Sequence, residues 1–366
     1  MKRMKTFLFA AAAIGFILSS SASAYYKVID LGTLGGNSSH AYSINDNGQI
    51  VGTAWDSFGN PHACLFDPTG GGASKNLGTL GGNLSDAYSI NNIGQIVGKA
   101  YNNSGCGRAC LFDPTGQGNN IDLGALGGSE SEAWSINNIG QIVGKAYSGS
   151  GYRRACLFDL TGGRANKDLK TLGGNWSFAY SINNSGQIVG GAYNSFGEPR
   201  ACLFDPTGGG ANIDLGTLGG NVSAASSIND SGQIVGGAYN NSGYSRACLF
   251  DSTGGGVNID LGTLGGFNSY AWSINDSGHI VGSSDGRACL FDPTGQGNNI
   301  DLNAIIDPSS GWTLDSAYSI NNNGWVVGRG VNPDGFYRTF LLIPEPASAL
   351  IMGLGGILLT LRRRHC

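Results

Sequence analysis

The chain has 366 residues, a formal net charge of −4, only 13% charged side chains and 63 glycines. This balance offers no basic stripe to neutralise phosphates and so argues against a nucleic-acid partner. No interior stretch places apolar residues at i, i+3, i+4 and i+7 over three turns, so an all-β fold is expected.

In chain order, the first segment is MKRMK, followed by the apolar run FLFAAAAIGFIL and then SSSASA. It reads as a secretory signal peptide over residues 1–24, with Ala22 and Ala24 as the small residues of the cleavage site. Its apolar core is shorter than the ~20 residues a membrane span usually takes.

From there the chain repeats. DLGTLGG at Asp30 returns as NLGTLGG at Asn76, DLGALGG at Asp122, DLKTLGG at Asp168, and DLGTLGG at Asp214 and Asp260, each 46 residues after the last. A degenerate copy, DLNAIID, starts at Asp301 after a step of 41. Periods of roughly 40 to 50 residues match a four-stranded propeller blade. In the first unit the expected strands are 41–45, 48–55, 62–66 and 76–80.

The turns have mechanisms. Ser-Ile-Asn-x-x-Gly recurs in all seven units, its glycine suited to the φ > 0 position of a tight hairpin. Asp-x-Thr-Gly follows the third strand in six units, as at Asp67-Pro68-Thr69-Gly70, in the pattern of a type I turn. The hairpin between the second and third strands is five residues shorter in the sixth unit, which accounts for the step of 41 and places that turn in solvent.

One strand is left over at each end: YKVIDLG at the start, FYRTFLLI at the finish. A solenoid would expose both as open edges, whereas a ring pairs them. The expected fold is therefore a seven-bladed β-propeller over residues 25–343, closed by the N-terminal strand.

The repeats resemble the HAF family of probable extracellular repeats, named for a His-Ala-Phe run; here His62-Ala63-Cys64 stands in the first unit and Arg-Ala-Cys in the next five. The resemblance covers nearly all of the mature chain and implies architecture and location rather than an activity. The tail, residues 344–366, combines Pro344-Glu345-Pro346, an apolar helix over 347–361 and the cluster Arg362, Arg363 and Arg364. It is similar to the PEP-CTERM sorting signal of Gram-negative bacteria. That resemblance implies transient inner-membrane anchoring, processing by an exosortase, and display at the cell surface or in an extracellular matrix.

The six cysteines Cys64, Cys110, Cys156, Cys202, Cys248 and Cys289 share one strand position. Neighbouring sheets lie ~10 Å apart and a disulfide needs Cα atoms within ~7 Å, so free thiols acting as apolar filling are expected, at Cys106 as well. Arg108, Arg154, Arg200, Arg246, Arg287 and Arg338, with His62 in the first unit, open the third strands and should pair with Asp or stack on an aromatic ring. Tyr42, Tyr88, Trp134, Tyr180, Trp272 and Tyr318 share the parity of a buried isoleucine, which places them in interblade packing.

The Asn-Asp-Asn-Gly turn at 45–48 resembles the start of a calcium loop, but four of the seven equivalent turns lack Asp. The expectation is no cofactor, with calcium kept as an alternative. No catalytic or metal-ligating residues are assigned: His40, His62, His279, Glu130, Glu132 and Glu198 do not recur from unit to unit, and no nucleophile elbow is present. The candidate ligand contacts are aromatics at the second hairpin: Trp55, Tyr101, Tyr147, Tyr193 and Tyr239 at its base, with Phe58, Tyr152, Phe196, Tyr244, Phe336 and Tyr337 at its tip. The expected function is that of an exported, non-enzymatic repeat protein of the envelope or biofilm matrix that binds polysaccharide or surface proteins. The alternatives are a structural coat protein without a specific ligand and a propeller hydrolase or lyase.

Overall fold

The computed structural model describes residues 26–160 and 165–345. The expected signal peptide with Ala22 and Ala24, and the tail from Pro346 through Arg362, Arg363 and Arg364, lie outside them. No helix among the described residues is long and apolar enough to cross a membrane.

Strand β1 (Tyr26–Asp30) is followed by β2 (Gly35–Ile44), β3 (Ile50–Asp56), β4 (Pro61–Phe66) and β5 (Lys75–Asn76). Strands β2 to β5 form one antiparallel four-stranded sheet, and that unit recurs to give seven sheets. Six sheets come from one repeat each. The seventh combines the strands Thr313–Ile320, Val326–Val331 and Tyr337–Pro344 with β1, paired from Tyr26 opposite Pro344 to Asp30 opposite Phe340. The chain is a seven-bladed propeller closed by its own first strand, as the orphan strands required.

The turns follow the sequence. Gly48 N–H donates to Asn45 C=O at 3.0 Å with φ +77°, forming a three-residue hairpin loop whose last residue must be left-handed. Gly70 N–H donates to Asp67 C=O at 3.1 Å, and Thr69 N–H to the Asp67 carboxylate at 2.9 Å. The Val-Gly of β3 has a different cause. A Cβ on Gly52 would overlap the carbonyl of His40, because the inner two strands approach closely there.

Two boundaries differ from expectation. The inner strand begins at Gly35 rather than residue 41, and the outer strand is only Lys75–Asn76 rather than 76–80. The glycine pair of LGG runs into the inner strand because Gly36 packs against the backbone of Trp55, where any Cβ would collide. The outer strand stops early because the Asn76 side chain turns back to accept from Gly78 N–H at 2.8 Å.

Between consecutive blades the same cluster recurs. Val51 and Ala63 of one blade, with Leu77, pack on Ala87, Ile90, Ile96 and Phe112 of the next. At the seam, Leu31 joins Ile50 and Phe66 of the first blade to Val327 and Leu341 of the last. The six strand cysteines are buried free thiols in these clusters, and Cys106 is a half-buried free thiol.

Candidate functional site

Each inner strand carries a β-bulge. Pairing slips between Ala41 and Ser43, and at the equivalent step in all seven blades. The bulged residue is the x of Ala-x-Ser: Tyr42, Tyr88, Trp134, Tyr180, Ser226, Trp272 and Tyr318. A bulge re-aims its side chain. These aromatics therefore stay out of the buried interblade core that parity implies and meet their neighbours across the blade boundaries at the centre of the ring. Ile44, two residues on, joins the interblade core, while Tyr42 turns into the centre of the ring. Strict alternation presumes an unbroken ladder, and the bulge breaks it.

With His40 and Tyr270 they line a central cavity of about 710 Å³, inside the span of roughly 300–1,000 Å³ typical of ligand sites. Trp134 stacks on Tyr180 with ring centroids 5.1 Å apart, Tyr42 meets Tyr88 edge-on at 5.5 Å, and Tyr270 lies 4.2 Å from Trp272. In the fifth blade, small residues make room for an aromatic of the sixth. Ser226 Oγ donates to Tyr270 Oη at 2.9 Å, and a Cβ on Gly237 would overlap the Tyr270 ring.

The ring of positions beside this wall is not seven-fold. The residue before each Ala-x-Ser is His40, Asp86, Glu132, Phe178, Ala224, Tyr270 or Ser316, and its β3-type partner is Thr53, Lys99, Lys145, Gly191, Gly237, Ser283 or Arg329. Blades one to three are thus polar and blades four to six aromatic or small. Thr53 Oγ1 donates to Asp86 Oδ1 at 2.6 Å. Glu132 accepts from Lys99 Nζ at 3.0 Å, Lys145 Nζ at 3.3 Å and Trp134 Nε1 at 3.1 Å.

Burial raises the Asp86 carboxyl above the usual carboxylate range, against the pull of Thr53 and Lys99. Burial, then the Asp86 charge, pushes Tyr42 up to about 12. Burial and then Arg329 lower His40, so its ring is neutral at neutral pH. For Lys99, burial opposes the charge and Glu132 more than offsets it, leaving the ammonium pKa raised. Sequence reading passed over His40 and Glu132 because they do not recur. Yet variation at one register position of an otherwise near-identical repeat was the available signal, since closure gathers that position from all seven blades around the centre of the ring, where His40 and Tyr270 reach the cavity.

The opposite end of the ring is held by asparagines. Asn45 Nδ2 donates to Asn91 C=O at 2.9 Å, and the pattern continues from blade to blade until Asn321 donates back to Asn45 C=O at 3.0 Å. A second ring runs from Asp46 N–H to Asn92 Oδ1 and round to Asn322 N–H on Asp46 Oδ1. The Ser-Ile-Asn motif is thus more than a turn. Asn45 Oδ1 accepts from Asn47 and Gln49 N–H of its own turn and Asp46 Oδ1 from the neighbouring blade, and among the described residues no group of three or more His, Cys, Asp or Glu is placed to hold a metal.

The expected arginine partners are present. Arg108, Arg246 and Arg287 pair with Asp122, Asp260 and Asp301 at 3.1, 3.1 and 3.0 Å, and Arg200 lies 3.7 Å from Asp214. Arg154 covers Tyr152, Arg338 covers Phe336, and His62 meets Asp56 at 3.1 Å.

Of the hairpin aromatics, Phe58 and Phe196 are 88% and 87% exposed, and Tyr152, Tyr239, Tyr244, Phe336 and Tyr337 are exposed to a lesser degree. They are spread over five blades, at the end of the ring away from the asparagines. Tyr244 stacks on Phe267 at 4.9 Å, Tyr193 meets Trp176 at 5.2 Å, Tyr101 lies under Lys99, and Tyr147 accepts from Arg153 Nε at 2.7 Å. Two of them reach the centre: Trp55 lies 5.6 Å from His40, and Tyr337 lines a crevice that adjoins the cavity.

No protein-family model and no curated protein matches this chain. Among solved structures it is similar to XC5397 from Xanthomonas campestris, described as a gluconolactonase, at 11% identity and TM-score 0.45, covering 88% of this chain and 92% of that one. It is also similar to the WD40 β-propeller domain of Doa1, at 14% identity and TM-score 0.32, covering 88% and 98%. At these identities and scores neither likeness bears on activity.

Proposed function

We propose that the chain is an exported, non-enzymatic binding protein of the bacterial envelope or its matrix that takes polysaccharide at the aromatic-lined mouth of the ring. The observation that carries this reading is the wall of Tyr42, Tyr88, Trp134, Tyr180, Tyr270, Trp272 and Tyr318 around a cavity of about 710 Å³. Flat aromatic faces take the apolar face of a sugar ring, and the phenol and indole edges take its hydroxyls, at low ordering cost. The tip aromatics, Phe58 and Phe196 foremost, add outer contacts for a longer chain. Seven blades thus present one central site with a repeated rim rather than seven equal sites. Export through the N-terminal signal and processing of the Pro344-Glu345-Pro346 tail by an exosortase deliver this surface to the matrix.

A glycan array probed with the full chain tests the reading. Retained sugars are expected, with binding lost by at least tenfold in Trp134→Ala or Trp272→Ala, of the order that loss of one stacked ring brings. Retention unchanged in both variants would overturn it.

A hydrolase or lyase reading draws on one observation, the raised carboxyl of Asp86 beside the aromatic wall. Glycoside hydrolysis needs a second carboxylate free to act. Glu132 is held by two lysines and an indole, which favours binding over turnover. Sugar consumption that Asp86→Asn abolishes would reverse this preference.

A further inference from the structure

The short hairpin of the sixth blade opens a second space. There Ser284 and Arg287 are joined by Asp285 and Gly286 alone, both left-handed at φ +48° and +77°, where the first blade carries a four-residue tip between Asp56 and Pro61. Beside it lies a crevice of about 460 Å³ that shares Trp272 and Tyr318 with the central cavity and is otherwise bounded by Ser283 and Gly286 of the sixth blade and by Asp315, Ser316, Arg329 and Tyr337 of the seventh.

Two of those residues carry buried polar atoms without a partner, Ser316 Oγ and Arg329 Nε. Arg329 holds the register position of Lys99 and Lys145. Those lysines are neutralised by Glu132, whereas Arg329 makes no ion pair among the described residues. Its guanidinium lies 5.2 Å over the Tyr337 ring, which fixes its plane. Asp315 sits in a bulge between Leu314 and Ser316. It stands where the other clasped seams have a serine such as Ser85, whose Oγ accepts from Ala63 N–H across the seam at 2.9 Å. The sixth seam is therefore uncovered at this hairpin, and Asn303 rather than a serine clasps it, accepting from Leu314 N–H at 2.7 Å and donating to Leu314 C=O at 2.9 Å.

We propose that this crevice is an anion subsite of the sugar-binding cavity and that the polysaccharide is acidic. A uronate carboxylate sits on Arg329 and Ser316, while its own ring or the next one lies on Trp272. A guanidinium donates through several N–H groups to a carboxylate, and an unpaired buried donor and hydroxyl are what such a group satisfies. The inference rests on the glycan reading above and adds to it the charge of the ligand.

The test is titration of the full chain with an oligogalacturonate hexamer and with its methyl ester, which differ in the carboxylate charge, at low and high salt. The free acid is expected to bind about tenfold tighter than the ester, with the advantage shrinking as salt is raised. In Arg329→Gln the two forms should converge to within about twofold. Asp315→Asn removes the carboxylate facing Arg329 and should tighten the acid form alone, an outcome that a merely destabilised variant would not produce. Acid and ester bound equally by the unaltered chain, or a preference kept in Arg329→Gln, would overturn the subsite and leave the glycan reading standing. Failure of both forms to bind also overturns it. The glycan reading then depends on whether the array retains neutral sugars, and fails with the subsite if it retains none.

Discussion

The side-chain amide of Asn321 donates to the backbone carbonyl of Asn45 at 3.0 Å, across 276 residues of sequence. The same bond joins every other neighbouring pair of blades across 46 residues. Closure is thus not an extra contact at the seam. It uses the device that joins every other pair, so each of the seven asparagines serves its own turn and the next blade together. In the last, Asn321 Oδ1 also accepts from Trp325 N–H at 2.9 Å and Asn323 N–H at 3.1 Å.

Replacing Asn321 by Ala should therefore leave the Asn45 carbonyl of the first blade with its own turn's Gly48 N–H alone and strand two turn donors on the last. The expected loss is about 2–3 kcal/mol of unfolding free energy. Asn183→Ala, in the middle of the chain, should cost a similar amount if the ring is uniform. Denaturant titration reads both, and a loss near zero at Asn321 with a full loss at Asn183 would show that the seam is held by β1 alone.

The strand cysteines set an alkaline limit. Burial raises Cys64 and Cys289 from 9.0 to about 12, and raises Cys110, Cys156, Cys202 and Cys248 as well. A folded-state pKa above the unfolded one favours the fold fully below the unfolded value, here about 9, and the advantage drains as pH rises toward the folded value. Stability should decline from about pH 9 upward, and Cys→Ala substitution should flatten the decline. In peptide mapping after brief alkylation near pH 8, half-buried Cys106 should label in the native protein and the six strand thiols only after unfolding.

Glu132 holds two ammonium groups beside Trp134 of the cavity wall, and all three side chains are mostly buried. Glu132→Gln should leave Lys99 and Lys145 facing each other with no carboxylate between them, at a cost of about 3 kcal/mol. Added chloride or a bound carboxylate should recover part of it. Thermal melts of the variant in low-salt buffer with and without added sodium chloride check this. An equal loss at both salt levels would mean that packing rather than charge is what Glu132 supplies.

How much of this could be read in advance follows from where the information lies. The left-handed glycine of the hairpin at Gly48 and the type I turn at Asp67 are conditions on four adjacent residues, and both stand in the structure as read. The strand left over at Tyr26 and the one ending at Pro344 could be matched by counting. Tyr42 could not be placed, because its direction depends on a slip in pairing with the strand beside it. Nor could Asp86 and Glu132 be seen as neighbours of the aromatic wall, because each is unremarkable within its own unit.

The sequence by itself determined that there are seven units, where each one turns, and that the ends must meet. Those properties are set by backbone preferences within a few residues and by the need to pair exposed edges. Only the tertiary structure decided which side chains share the centre. A ring takes one register position from each of seven units and sets them against one another, and a bulge then turns the side chain beside each of them inward, an aromatic in every blade but the fifth. Repetition builds the frame, and the departures from repetition, gathered at one radius, make the site.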